Sequence, residues 1–248
     1  MVFNSITKIL VTPFYYLFHH NYIFGMLHKH IVKKFYYKNL IFFLNIENIP
    51  LQNYSSFLFK TYEYNDRKLI ERNITKKNKC IVIGGGLGFI PCLTYKISFN
   101  SVIIFEINSN LISNLKKNLF FNQCKFKLYN KNLTMFKNEK KKKFYLSKDF
   151  LSTSSRIKTD NYTVIENLYY KKIKIFKNYD TLIIDAEGDE QYYIKNIKYL
   201  KNIKNLYFEL HHNIFNTKEI KKIMHNLKKN NFQLKDKCFN SYYFQRNI

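Results

Sequence analysis

Residues Cys80-Ile81-Val82-Ile83-Gly84-Gly85-Gly86-Leu87-Gly88-Phe89, followed by Ser101-Val102-Ile103-Ile104-Phe105-Glu106, read as strand, glycine turn, helix, strand and acid. That order grips a nucleoside. Gly84, Gly86 and Gly88 let the backbone turn sharply and approach a ligand, because no Cβ stands in the way. Glu106 closes the next strand, where a carboxylate accepts hydrogen bonds from both hydroxyls of a ribose. It lies 22 positions after Gly84, close to the roughly 20 expected of a ribose-binding acid one βαβ unit beyond its loop.

A second group of chemically capable residues is Asp185-Ala186-Glu187-Gly188-Asp189-Glu190, just beyond the apolar run Thr181-Leu182-Ile183-Ile184. Acids placed there cluster at the carboxyl edge of a sheet, where open α/β folds bind their ligands. His211, after Leu206-Tyr207-Phe208-Glu209-Leu210, ends the following strand. Asp185, Glu187 and His211 are therefore the chemically capable side chains at that edge. The competing readings are a packed strand-end pair for His211 and His212, and charge at a helix N-terminus for Glu187 and Glu190, which stabilises by about 0.3–1 kcal/mol.

Phe89 bears on which nucleoside is bound. A dinucleotide fingerprint places its third glycine there, and a phenylalanine obstructs both the pyrophosphate and the helix N-terminus that should bind it. The pattern Gly84-x-Gly86-x-Gly88 instead resembles motif I of class I S-adenosylmethionine (SAM)-dependent methyltransferases, whose cofactor carries no phosphate. The Asp185 to Glu190 segment resembles more narrowly the FkbM family of these enzymes, whose hallmark is Asp, a small or aliphatic residue, Glu-Gly, any residue and Glu. Tyr62-Glu63, the glycine loop, Phe105-Glu106-Ile107-Asn108, Asn118, a serine-rich flap and Phe208-Glu209-Leu210-His211 follow in family order.

The resemblance spans Tyr62 to the C-terminus. It implies a Rossmann-like class I methyltransferase fold, a mostly parallel seven-stranded sheet with an antiparallel edge hairpin. It implies SAM as cofactor, held by Glu63, Gly84, Gly85, Gly86, Gly88, Glu106, Asn108 and Asn130. The reaction implied is methyl transfer to a hydroxyl of a sugar, glycan precursor or secondary metabolite, with Asp185 or Glu187 holding the acceptor and His211 as base. No metal is expected. The chain departs from the family at its first strand, where Asp-x-Gly-Ala is usual and Val82-Ile83-Gly84-Gly85 stands here. The grip on the cofactor's ammonium group is then weaker or comes from elsewhere, for instance Glu63.

The elements that position these residues follow from periodicity. A helix begins near Pro91, and a second carries Leu111, Ile112, Leu115 and Leu119 on one face. Phe126-Lys127-Leu128-Tyr129 is a third strand, and Tyr193, Ile194 and Ile197 face inward from a helix after Asp185. Asn216 and Glu219 form a capping signal, and Phe232-Gln233-Leu234 with Tyr242-Tyr243-Phe244 makes the terminal hairpin. The connection of about 130–179 is a flap insertion in which Phe144-Tyr145-Leu146 and Tyr162-Thr163-Val164 are strands. Ser152 to Ser155 are a polar turn or a substrate contact, and Lys140 to Lys143 fit an exposed loop.

Residues 1–60 form an aromatic-rich extension to the 61–248 domain, expected to be helical. It serves as a lid on the core or as a peripheral contact with a membrane surface; no run there approaches the roughly 20 apolar residues of a spanning helix. The histidines of this segment lack the cysteines or acids of a zinc site. Four dispersed cysteines indicate neither a zinc site nor a disulfide framework, and they fit a cytoplasmic protein, peripheral at most.

The chain has 42 Lys and Arg against 17 Asp and Glu, a net charge of +25. Such a balance attracts nucleic acid or anionic lipid, which keeps an RNA methyltransferase among the readings. The accompanying wealth of Asn, Ile, Tyr and Phe is also what an AT-rich genome produces, with the charge spread over solvated faces. A third reading is a noncatalytic protein of the same fold that binds a glycan or a membrane-associated partner.

Overall fold

A computed structural model describes residues 25, 26, 29, 30, 33–44, 49, 51–146 and 153–247. Its first strands correct an expectation. Where a helical extension is expected, β1 (Lys34–Tyr37) and β2 (Leu40–Phe43) form an antiparallel hairpin. Lys38 takes a positive φ of 49° in its two-residue turn. Phe35, Leu40 and Phe42 are buried while Tyr36 is exposed, the period of two that a strand shows. The partner that selects this conformation is Phe89, whose ring centroid lies 5.5 Å from Phe35 and 5.2 Å from Phe42. The side chains of Asn118 and Asn122 bond both ways with the backbone of Phe43 and Ile41. The helical expectation does hold at α1 (Leu51–Leu58). The Phe14 to Phe18 run lies outside the described residues.

The core comprises α2 (Tyr64–Asn73), β3 (Cys80–Ile83), α3 (Phe89–Ser98), β4 (Val102–Phe105), α4 (Ile112–Phe121) and β5 (Phe126–Tyr129). Leu111, Leu115 and Leu119 are buried, as their spacing requires. The flap comes next, as β6 (Asn132–Thr134), β7 (Lys141–Leu146), β8 (Thr153–Ser154) and β9 (Tyr162–Tyr169), in the order β6-β9-β7-β8. Both expected flap strands are present. Lys141 to Lys143, expected in a loop, open β7 instead, and two of their ammonium groups lie over aromatic rings, Lys142 over Phe144 and Lys143 over Tyr162. Ser152 lies outside the described residues.

The chain returns to the core with β10 (Thr181–Ile184), α5 (Glu190–Lys195), β11 (Asn205–Glu209), α6 (Thr217–Lys229), β12 (Phe232–Cys238) and β13 (Ser241–Arg246). Asn216 and Glu219 form the reciprocal capping box read from their spacing. The central sheet runs β12-β13-β11-β10-β3-β4-β5, parallel except for β13. This is the Rossmann-like class I methyltransferase topology.

Side chains alternate across the sheet. Cys80 and Val82 face the layer containing Phe89 and Leu115, while Ile81 and Ile83 face Tyr193 and Ile223. Strand order reverses between β3 and β10, so the chain diverges at their carboxyl ends and leaves a crevice there. Among the described residues no helix is long and apolar enough to cross a membrane.

Candidate active site

The crevice is a cavity of about 320 Å³. Its first wall is the glycine turn. Gly84 has φ +88° and packs against the end of β10, where a Cβ would stand 1.9 Å from the Asp185 carbonyl oxygen. Gly86, at φ +51°, faces the cavity: a Cβ there would meet only Tyr62 Oη at 3.8 Å and Glu63 Oε1 at 3.9 Å. Gly85 and Gly88 stand behind the lining, closing against Ile104 and Leu115.

Glu106 is 5% exposed and fixed from below. Its Oε2 accepts from the Gly86 amide at 2.8 Å and its Oε1 from the Asn108 amide at 2.7 Å. Burial pushes its carboxyl up, and backbone amides at Asn108, Gly86, Gly85 and Ile107 pull against that. Asn108 and Asn130, expected to touch the cofactor, do not line the cavity. The Asn130 amide donates to the Glu106 carbonyl at 2.8 Å and its Oδ1 accepts from Ser109, so these two residues brace the loop that holds Glu106.

Glu63 enters from the N-terminus of α2 with a left-handed φ of 48°. Its Oε2 is buried with no hydrogen-bond partner. Burial raises the carboxyl to about 8, although a hydrogen bond with the Tyr62 hydroxyl works the other way. Glu187, on the opposite side, also has a positive φ, 47°. Two acids in this sparsely populated conformation face one cavity, and such strain gathers where a site must be held.

The far end is closed by the flap and the β10 turn. Phe144 and Thr153 line it together with Asp185, Glu187, Asp189 and Tyr193. Ser154 donates to the Glu187 carbonyl, and Asp189 accepts from Ser155 and pairs with Lys142 at 2.6 Å. Of the two readings of the serine run, the structure shows a fastening: Ser154 and Ser155 bind the turn. Glu190, 0% exposed, takes the amides of Ala186 and Gly188 and thereby shapes the turn itself.

His211 stands just behind Asp185 and Glu187. Its Nε2 lies 3.3 Å from Glu187, 3.7 Å from Asp185 and 3.9 Å from Glu209, and its Nδ1 lies 3.2 Å from Glu190. Burial disfavours its charge, but the Glu190 contact and the charges of Asp185, Glu190 and Glu187 outweigh that and raise it to about 10. The structure thus brings all three expected catalytic residues together, with the acids around His211 favouring its protonated form. Asp185 is raised well above the carboxylate range by burial and then by Glu209 and Glu187.

Two members of this cluster were not among the expected site residues. Glu209 closes β11 as Asp185 closes β10, and the register Ile184 to Phe208 sets them side by side; that parallel was visible in the sequence. Asp66, on α2, carried no such signal.

No protein-family model matches this chain, and no curated protein does. Among solved structures it is similar to a methyltransferase from Pyrococcus furiosus, at 11% identity over 99% of each chain with a TM-score of 0.47. It is similar to a ribosomal protein L11 methylase from Lactobacillus delbrueckii subsp. bulgaricus, at 16% identity over 74% of this chain and 77% of that one, TM-score 0.45. Fibrillarin from Aeropyrum pernix aligns at 8% identity over 68% and 67%, TM-score 0.42. None is alike enough to carry an activity across.

Proposed function

We propose that the protein transfers a methyl group from SAM to a hydroxyl of a sugar, glycan precursor or secondary metabolite. The observation that carries this reading is the charge of the cavity. Glu63, Glu106, Asp185, Glu187 and Asp189 line it, with Lys131 as the one base among the described lining residues, and Lys131 is paired with Glu166. A chain of net charge +25 has gathered its acids where a ligand would sit. Such walls offer no free cation to the pyrophosphate of a dinucleotide or the phosphates of a nucleic acid, and their carboxyl groups can ionise against a cofactor with cationic centres.

The residues fit SAM in two further respects. Gly86 leaves open the space a Cβ would occupy, and Glu63 has a buried oxygen with no hydrogen-bond partner. Glu106 would hold the ribose hydroxyls, and Glu63 would face the ammonium group in place of the missing first-strand aspartate. When bound, SAM supplies an electrophilic methyl on its sulfonium. Asp185 and Glu187 orient the acceptor hydroxyl, and a base of the Asp185, Glu187 and His211 group takes its proton. Phe144 and the fastened flap keep water out.

Calorimetric titration of the purified protein with SAM and, separately, with NAD tests the assignment. Micromolar SAM binding without NAD binding is expected, and Glu106→Ala should abolish it while the protein stays folded. A folded protein that ignores SAM would refute the proposal and leave the noncatalytic reading.

A further inference from the structure

We infer that Asp185, Glu209 and His211 form a binding site for one hard divalent cation, of the Mn²⁺ and Mg²⁺ class, behind the acceptor end of the cavity. One donor atom from each lies within 4.8 Å of the others. Neighbouring ligands in an octahedral site at about 2.1 Å stand roughly 3 Å apart. His211 Nε2 is 3.7 Å from Asp185 Oδ1 and 3.9 Å from Glu209 Oε2, so small side-chain rotations close the shell. The two carboxylates are fixed on adjacent parallel strands in register. Two oxygens and an imidazole without thiolate suit a hard cation.

The surroundings of these three residues point the same way. Asp185 Oδ1 has no contact with solvent and no hydrogen-bond partner. Ser241 is 0% exposed and sits opposite Glu209 in the β11–β13 ladder, beside the Asp66 carboxyl. Asp66, only 8% exposed, feels Glu209 and His211 directly. Among the described residues, His211 is the one basic side chain paired with Asp185 and Glu209, and no lysine or arginine joins them. Asp185 and Glu209 retain 37% and 27% side-chain exposure, which leaves a path for the ion.

The site lies beside Glu187 at the acceptor end of the cavity; that placement, though not the site itself, rests on the methyltransferase reading.

The test is titration of the metal-stripped full-length protein with MnCl₂, with free Mn²⁺ followed by electron paramagnetic resonance, with and without SAM. Wild type should bind one Mn²⁺ per chain. Glu209→Gln and His211→Gln should weaken binding at least about tenfold while circular dichroism shows them folded, and Glu166→Gln, remote on the flap, should match wild type. No stoichiometric Mn²⁺ binding by the folded protein, or unchanged binding in folded Glu209→Gln, overturns the site. Mn²⁺ binding without SAM binding supports the site and overturns the methyltransferase reading instead.

Discussion

The Glu63 carboxylate stands over Gly86, with its Oε1 3.9 Å from where a Cβ on that glycine would be. Burial raises Glu63 to about 8, so at neutral pH the unliganded protein holds it mostly protonated. A cation bound there ionises it and releases a proton. SAM affinity should therefore rise with pH up to about 8 and level off above. Calorimetry in buffers of different ionisation enthalpy should show close to one proton released at pH 7. Glu63→Gln should remove both the release and the pH slope and weaken SAM by about 10- to 100-fold, the worth of a hydrogen bond to a charged group. An affinity independent of pH would dissociate Glu63 from the cofactor.

Gly84 and Gly86 separate structure from binding. Alanine at position 84 drives a Cβ to 1.9 Å from the Asp185 carbonyl, backbone that cannot yield, so Gly84→Ala should fail to accumulate as folded protein. Alanine at 86 meets nothing closer than 3.8 Å; its positive φ costs about 1 kcal/mol. Gly86→Ala should fold, melt within a few degrees of wild type and bind SAM poorly. The reverse pattern would mean that Gly86 serves the fold.

Much of this was legible because both faces of the parallel strands are buried, so Cys80–Ile83, Val102–Phe105 and Thr181–Ile184 read as continuous apolar runs. Glu106 and the glycine loop were legible because one βαβ unit links them. The hairpin at Lys34 to Phe43 was not. Its short aromatic run suits either periodicity, and what selects a strand is Phe89, about fifty positions away along the chain. Phe89 itself excluded a dinucleotide in the sequence and anchors the hairpin in the structure. Nor could spacing show Asp66 approaching Glu209 and His211, which depends on α2 packing against β11 and β13.

Asn118 and Asn122 share the docking of the hairpin but differ in one contact. Asn118, 0% exposed, accepts from the Phe43 amide at 2.7 Å and donates to the carbonyl of Leu87 at 2.8 Å, inside the glycine loop. Asn122 bonds the backbone of Ile41 alone within the hairpin. Asn118→Ala should cost on the order of 3 kcal/mol, read as a drop of about 2–4 °C in melting temperature per kcal/mol, and should also weaken SAM. Asn122→Ala should loosen the Ile41 amide in hydrogen exchange and leave SAM affinity unchanged. Equal effects on SAM would mean that the hairpin, and not the Leu87 contact, supports the loop.

Lys142 and Asp189 fasten the flap across the acceptor end. The pair is half-buried, 28% and 7% exposed, so it contributes more than a surface ion pair. Lys142→Met keeps an apolar chain of similar length and removes the ammonium that pairs with Asp189 and lies over Phe144 and Tyr192, leaving Asp189 with Ser155. Faster hydrogen exchange in β7 and β9 is expected, with a higher KM for the acceptor and a melting temperature lower by a few degrees. SAM affinity should change little, because Glu63, Gly86 and Glu106 lie outside the flap. Unaltered exchange in Lys142→Met would place the closure on the Ser154 to Glu187 bond, and Ser154→Ala would then open the same strands.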